Sequence, residues 1–118
     1  MTHRTVSRIA AVSAKLAALY PELAERQAAQ AILDGFTGDS LPDTRARVAL
    51  AILKIAGADR QQLENWTSAA NADYRDVLAW AEYPRLMQAG ARIDPRRRQQ
   101  LAAEDERAYA AWLGAADA

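Results

Sequence analysis

Apolar residues recur at steps of three and four along most of the chain, the spacing of one face of an α-helix. The first such stripe is Val6, Ile9, Val12, Leu16 and Leu19, and Leu23 continues it beyond Pro21. Pro21 either kinks one long helix or opens a second at its first position. Glu22 and Glu25 favour a fresh start, because acids suit a helix N-terminus. That second helix is expected to run to about Leu33, with Gly35 as its stop.

The stretch GFTGDSLPD, residues 35–43, reads as a loop. A helix follows from Pro42–Asp43 to Ala56, with Val48, Ile52 and Ile55 on its core side and Gly57 ending it. Asp59 with Gln62 reads as a capping box that opens a helix carrying Leu63 and Trp66. Residues 71–73 interrupt, and Asp73 is a good N-cap for YRDVLAWAE, which Pro84 then breaks. A short helix with Leu86 and Met87 closes at Gly90, and Asp94-Pro95 opens a last helix to about Leu113. No stretch alternates apolar and polar over a strand's length. The pattern predicts an all-α fold, a compact bundle of five or six short helices, with Val48, Ile52, Ile55, Leu63, Val77 and Leu78 mutually buried.

Composition strengthens that reading. Hydrophobic residues make up 51% of the 118, and alanine, the best helix former, dominates them. The length suits one domain, residues 1–118. No run reaches the roughly 18 apolar residues of a membrane-spanning helix. Ser13 and Lys15 break up the apolar N-terminal run, so no signal peptide is read there and a cytoplasmic location is expected.

Charge adds a feature that hydropathy does not show. Fifteen basic and fifteen acidic residues cancel, yet they are segregated. Residues 1–20 hold Arg4, Arg8 and Lys15 and no acid. Residues 21–43 hold Glu22, Glu25, Asp34, Asp39 and Asp43 against Arg26. Residues 84–103 hold Arg85, Arg92, Arg96, Arg97 and Arg98 against Asp94. Blocks of this kind dock on one another or on a symmetry mate.

Candidate chemistry is sparse. With no cysteine, disulfides, thiolate ligands and thiol nucleophiles are excluded. His3 is the only histidine and sits at the terminus, so a histidine-based triad or metal site has nothing to build on. The loop GFTGDS lacks the Gly-Lys-Thr/Ser ending of a phosphate cradle. The acids Glu104, Asp105 and Glu106 lack calcium-loop spacing and read as a solvated helix face. No cofactor or metal is expected.

Two readings remain. Residues 49–68 resemble a helix-turn-helix, with Gly57 at the turn and Ile52, Ala56, Ala58, Leu63 and Trp66 at apolar positions. Against it, Leu53 stands where a small residue is usual, and Asp59 and Glu64 outweigh Arg60 on the would-be recognition helix, so nucleic acid is the disfavoured partner. The other reading is an interaction surface on residues 73–84. There Tyr74, Val77, Leu78 and Ala81 face the core, and Asp76, Trp80 and Tyr83 form a second stripe flanked by Arg75 and Glu82. Tyr109 and Trp112 on the last helix extend this candidate surface, since aromatics and arginine dominate interface hot spots. The competing explanation is that Trp80 covers a helix seam while the charges cap and solvate.

The segment DYRDVLAWAEYP, with RVALAILKIAGAD before it and EDERAYAAWL after it, resembles an uncharacterised family of small bacterial helical proteins. The likeness covers about residues 45–84 with a weaker tail. It implies a bacterial, cytoplasmic, helical protein and no activity or site residue. The sequence therefore leads to a non-enzymatic helical interaction module that self-associates as a dimer. The helix in residues 94–118, with its stripe of Leu101, Ala108, Tyr109, Trp112 and Leu113, has two expected placements: docked on a second subunit, or packed across its own bundle. A DNA-binding protein built on residues 49–68 is the alternative.

Overall fold

Local capping chemistry sets most of the element boundaries. In the computed structural model, which describes residues 7–115, the Ser7 hydroxyl accepts from the Ala10 N–H at 3.0 Å and opens α1, Arg8–Leu19. Val6 and His3 lie outside the described residues. Pro21 separates two helices rather than kinking one, and α2 spans Leu23–Leu33. The break is stitched by Arg26, which donates to the Tyr20 and Pro21 carbonyls at 3.0 and 2.7 Å.

The loop after α2 is anchored by both neighbouring helices. The Asn71 carboxamide accepts from the Thr37 N–H and donates to the Gly35 carbonyl, while Arg45 donates to the Phe36 and Asp39 carbonyls. Phe36 is thereby held in the core, edge-on to Tyr74 at 5.8 Å. Pro42 starts α3, Pro42–Ala56, and Gly57 ends it at φ +61°, a left-handed turn that disfavours a side chain. Asp59 then accepts from the Gln62 N–H at 3.2 Å and opens α4, Arg60–Glu82. The expected interruption is a kink: Asp73 is extended inside α4, and its carboxylate accepts from the Arg75 N–H. Pro84 begins α5, Pro84–Ala89, and Gly90 closes it at φ +80°. Asp94 accepts from the Arg96 N–H at 2.8 Å to start α6, Pro95–Ala115.

Six helices and no strand make up the described residues, an all-α bundle. The centre is α3, which packs on α1 along one side and on α4 along the other. Helix α2 lies across α4 and α1, and the α5–α6 pair rests on the far part of α4. Val48, Ile52, Leu63, Val77 and Leu78 are buried together as expected. Ile55 is only half-buried and packs on the edge of that cluster. Its place is taken by Leu50, Ala51 and Leu53, because α3 is enclosed on all sides rather than along one stripe. None of the helices among the described residues is long and apolar enough to cross a membrane.

Candidate interaction surface

The seven residues singled out from the sequence divide into two groups. Arg75 and Asp76, in the first turn after the α4 kink, are exposed, and Trp80 one turn on is 36% exposed. Glu82, Tyr83 and Tyr109 instead converge on a cleft of about 230 Å³ where α1, α3, α4 and α6 meet. Trp112 adjoins it, its ring 5.7 Å from that of Tyr109.

Glu82 does not share a surface with Arg75, as helical spacing suggests. Its carboxylate turns to α3 and accepts from Arg47 Nε and Nη2 at 2.8 and 2.7 Å, a paired fork. With the Glu82 side chain 13% exposed, this is a partly desolvated bond, and it holds Arg47 further toward its charged form. Across the cleft the Tyr83 hydroxyl donates to Glu106 at 2.9 Å, and this bond raises the Tyr83 pKa above the ordinary phenol value. Arg8, on the cleft's outer edge, pairs with Asp43 at 2.6 Å. Arg47, Arg8 and Glu106 do not stand out in the sequence, because each lies at least 23 positions from its partner.

The Tyr109 phenol, like that of Tyr74, has no hydrogen-bond partner among the described residues. Burial pushes its pKa up to about 12; Glu82 adds to the rise, while Arg8 and Arg47 oppose it. A phenol whose folded pKa lies above its unfolded value stabilises the fold fully below pH 10, and that contribution is lost as pH climbs from about 10 towards 12. A phenolate absorbance titration of the folded protein should therefore show a late component near pH 12 that Tyr109→Phe removes. Loss of a component near pH 10 instead would contradict the placement of Tyr109.

On the other side of α6, the Lys15 ammonium lies 4.1 Å from the centre of the Trp112 ring and donates to the Trp112 carbonyl. Lys15 is itself buried, so α6 supplies a partner for a buried cation on α1. Trp112 and Leu113 pack against the core cluster, Leu101 is buried, and Ala108 and Tyr109 are half-buried. The apolar side of α6 thus packs on its own bundle, the second of the two placements its stripe allows. Its wide arginine-bearing first turn is what remains open.

In the helix-turn-helix-like pair, Ile52, Ala56 and Leu63 are buried, Trp66 is half-buried and Ala58 is exposed. Leu53, the misfit of the motif, is fully buried. The exposed face of the first part of α4 presents Arg60, Gln61, Glu64, Asn65 and Ser68.

The two large charge blocks stay apart. Ion pairs among the described residues join Arg8 to Asp43, Arg47 to Glu82, and Arg85 to Glu104 and Asp105. None links residues 21–43 to residues 84–103. Glu22 and Glu25 on one side, and Arg92, Arg96, Arg97 and Arg98 on the other, are exposed and without an ion-pair partner among the described residues. No protein-family model, curated protein or solved structure matches the chain.

Proposed function

We propose that the protein is a non-enzymatic helical interaction module that self-associates, as a cytoplasmic homodimer. The observation that carries this reading is the pair of opposite charge blocks, in which Glu22 and Glu25 on one side and Arg92, Arg96, Arg97 and Arg98 on the other are exposed and without an ion-pair partner among the described residues. A net charge of zero leaves two copies without long-range repulsion, while the segregated blocks attract one another. Two-fold dimers are the commonest assembly, and in them an acidic block on each copy meets a basic block on the other.

A catalytic role finds less support in the cleft. Its acids are committed to Arg47 and to Tyr83, and Tyr109 holds its proton far above neutral pH. A general acid or base works best with a pKa near the operating pH.

Sedimentation velocity across a concentration series tests the reading. Dimer is expected at low ionic strength, shifting toward monomer as salt screens the exposed charges. A protein that stays monomeric at high concentration and low salt overturns it.

A further inference from the structure

The acidic surface has a defined shape. Leu23, the first residue of α2, is 60% exposed and stands between Glu22 and Glu25. Arg26, the nearby cation, is directed at the Tyr20 and Pro21 carbonyls and leaves both carboxylates uncompensated. The result is an apolar knob flanked by two negative charges.

The basic surface is its counterpart. Between α5 and α6 lies an open hollow of about 470 Å³, with Leu101 and Ile93 on its apolar side, Arg97 on one wall, and Arg85 and Glu104, paired with each other, on another. Arg96 and Arg98 stand beside it in the first turn of α6, and Arg92 in the approach to that turn. Three successive arginines at a helix N-terminus face the positive end of the helix dipole, which disfavours them. Their polar contacts are Gln100 for Arg97 and the Ala91 carbonyl for Arg98, neither an anion. Carboxylates brought from outside would relieve both the mutual repulsion and the dipole.

Resting on the self-association proposed above, we infer that the α2 start of one copy docks on the α5–α6 hollow of a second copy. Leu23 enters the hollow against Ile93 and Leu101, and Glu22 and Glu25 meet Arg96 and Arg97. Made reciprocally, the two contacts close a two-fold dimer. The choice of a second copy over another partner follows from complementarity: one chain carries the knob with its acids and the hollow with its cations.

A charge-swap experiment on the full chain tests this contact. One variant carries Glu22→Arg with Glu25→Arg, and the other Arg96→Glu with Arg97→Glu. Each alone places like charges face to face and should weaken self-association by at least about tenfold. An equimolar mixture restores opposite charges at both contacts and should recover dimerisation to within about threefold of the original protein. The arginine reversals place acids at the start of α6, so at a concentration where both proteins are monomeric their thermal stability should equal or exceed that of the original protein. Variants that still dimerise alone, or a mixture that fails to recover, overturn this contact; salt-sensitive dimerisation of the unaltered protein would leave the broader reading standing. A monomeric unaltered protein overturns both. So does a monomer that binds mixed-sequence nucleic acid through a site abolished by Arg96→Glu with Arg97→Glu.

Discussion

Replacing Asp105 with alanine is expected to destabilise the protein by about 3 kcal/mol, among the largest effects of any polar substitution in the chain. Asp105 lies on α6 and is 1% exposed. Its carboxylate accepts from the Arg85 and Leu86 N–H groups at 3.3 and 3.0 Å and from the Arg85 guanidinium at 3.0 Å. Those two backbone groups are free donors of the first turn of α5, which Pro84 begins without an N–H of its own. The residue that precedes the helix, Tyr83, makes no side-chain cap and sends its hydroxyl to Glu106. Asp105 therefore caps α5 from a different helix. A six-residue helix has almost no stability alone, so losing this carboxylate should loosen α5 as a unit. Asp105→Asn keeps one carbonyl acceptor but turns an amide toward the remaining donors, and should cost about half as much. Urea denaturation gives the magnitude, and amide exchange should place the earliest opening at residues 84–89. A loss below about 1 kcal/mol for the alanine variant would mean that α5 is held by something other than this carboxylate.

That cap shows what a sequence leaves hidden. Pro21, Pro42, Gly57, Asp59, Asp73, Pro84, Gly90 and Asp94 mark boundaries in the sequence and in the structure, because capping and helix breaking act within a few residues. The cleft was half legible. Tyr83, Tyr109 and Glu82 stood out as aromatic and charged groups on helix faces, but Arg47 lies 35 positions from Glu82. Lys15 and Trp112 are 97 apart. Helical spacing gives the direction in which a side chain leaves its helix, not which helix passes there. For the same reason Glu104, Asp105 and Glu106 read as a solvated face, whereas Asp105 is buried and Glu106 bonds Tyr83. The apolar stripe of α6, Leu101, Ala108, Tyr109, Trp112 and Leu113, is narrow for a helix that packs on a core. It suffices because α6 also brings Asp105 to α5 and the Trp112 ring and carbonyl to Lys15.

The enclosure of α3 leads to the other large effect. Leu53→Ala should cost about 3 kcal/mol, as much as Ile52→Ala, and Ile55→Ala less than half of that. Periodicity places Val48, Ile52 and Ile55 on the inner face and leaves Leu53 about 130° round the helix from its centre, where a one-sided helix would meet solvent. In the structure Leu53 is 1% exposed and Ile52 is fully buried, because α1 and α4 close on α3 from opposite sides. Truncating either fully buried side chain leaves a cavity that the packed surroundings fill only in part. Ile55 lies at the margin of the cluster, where neighbouring chains and water can fill the space it vacates. Denaturant midpoints of the three variants, at unchanged slope, give the ranking directly. Near-equal losses at Ile52 and Leu53 are expected. A Leu53→Ala midpoint close to that of Ile55→Ala would show instead that α3 buries a single face, and that α1 or α4 does not pack where the structure places it.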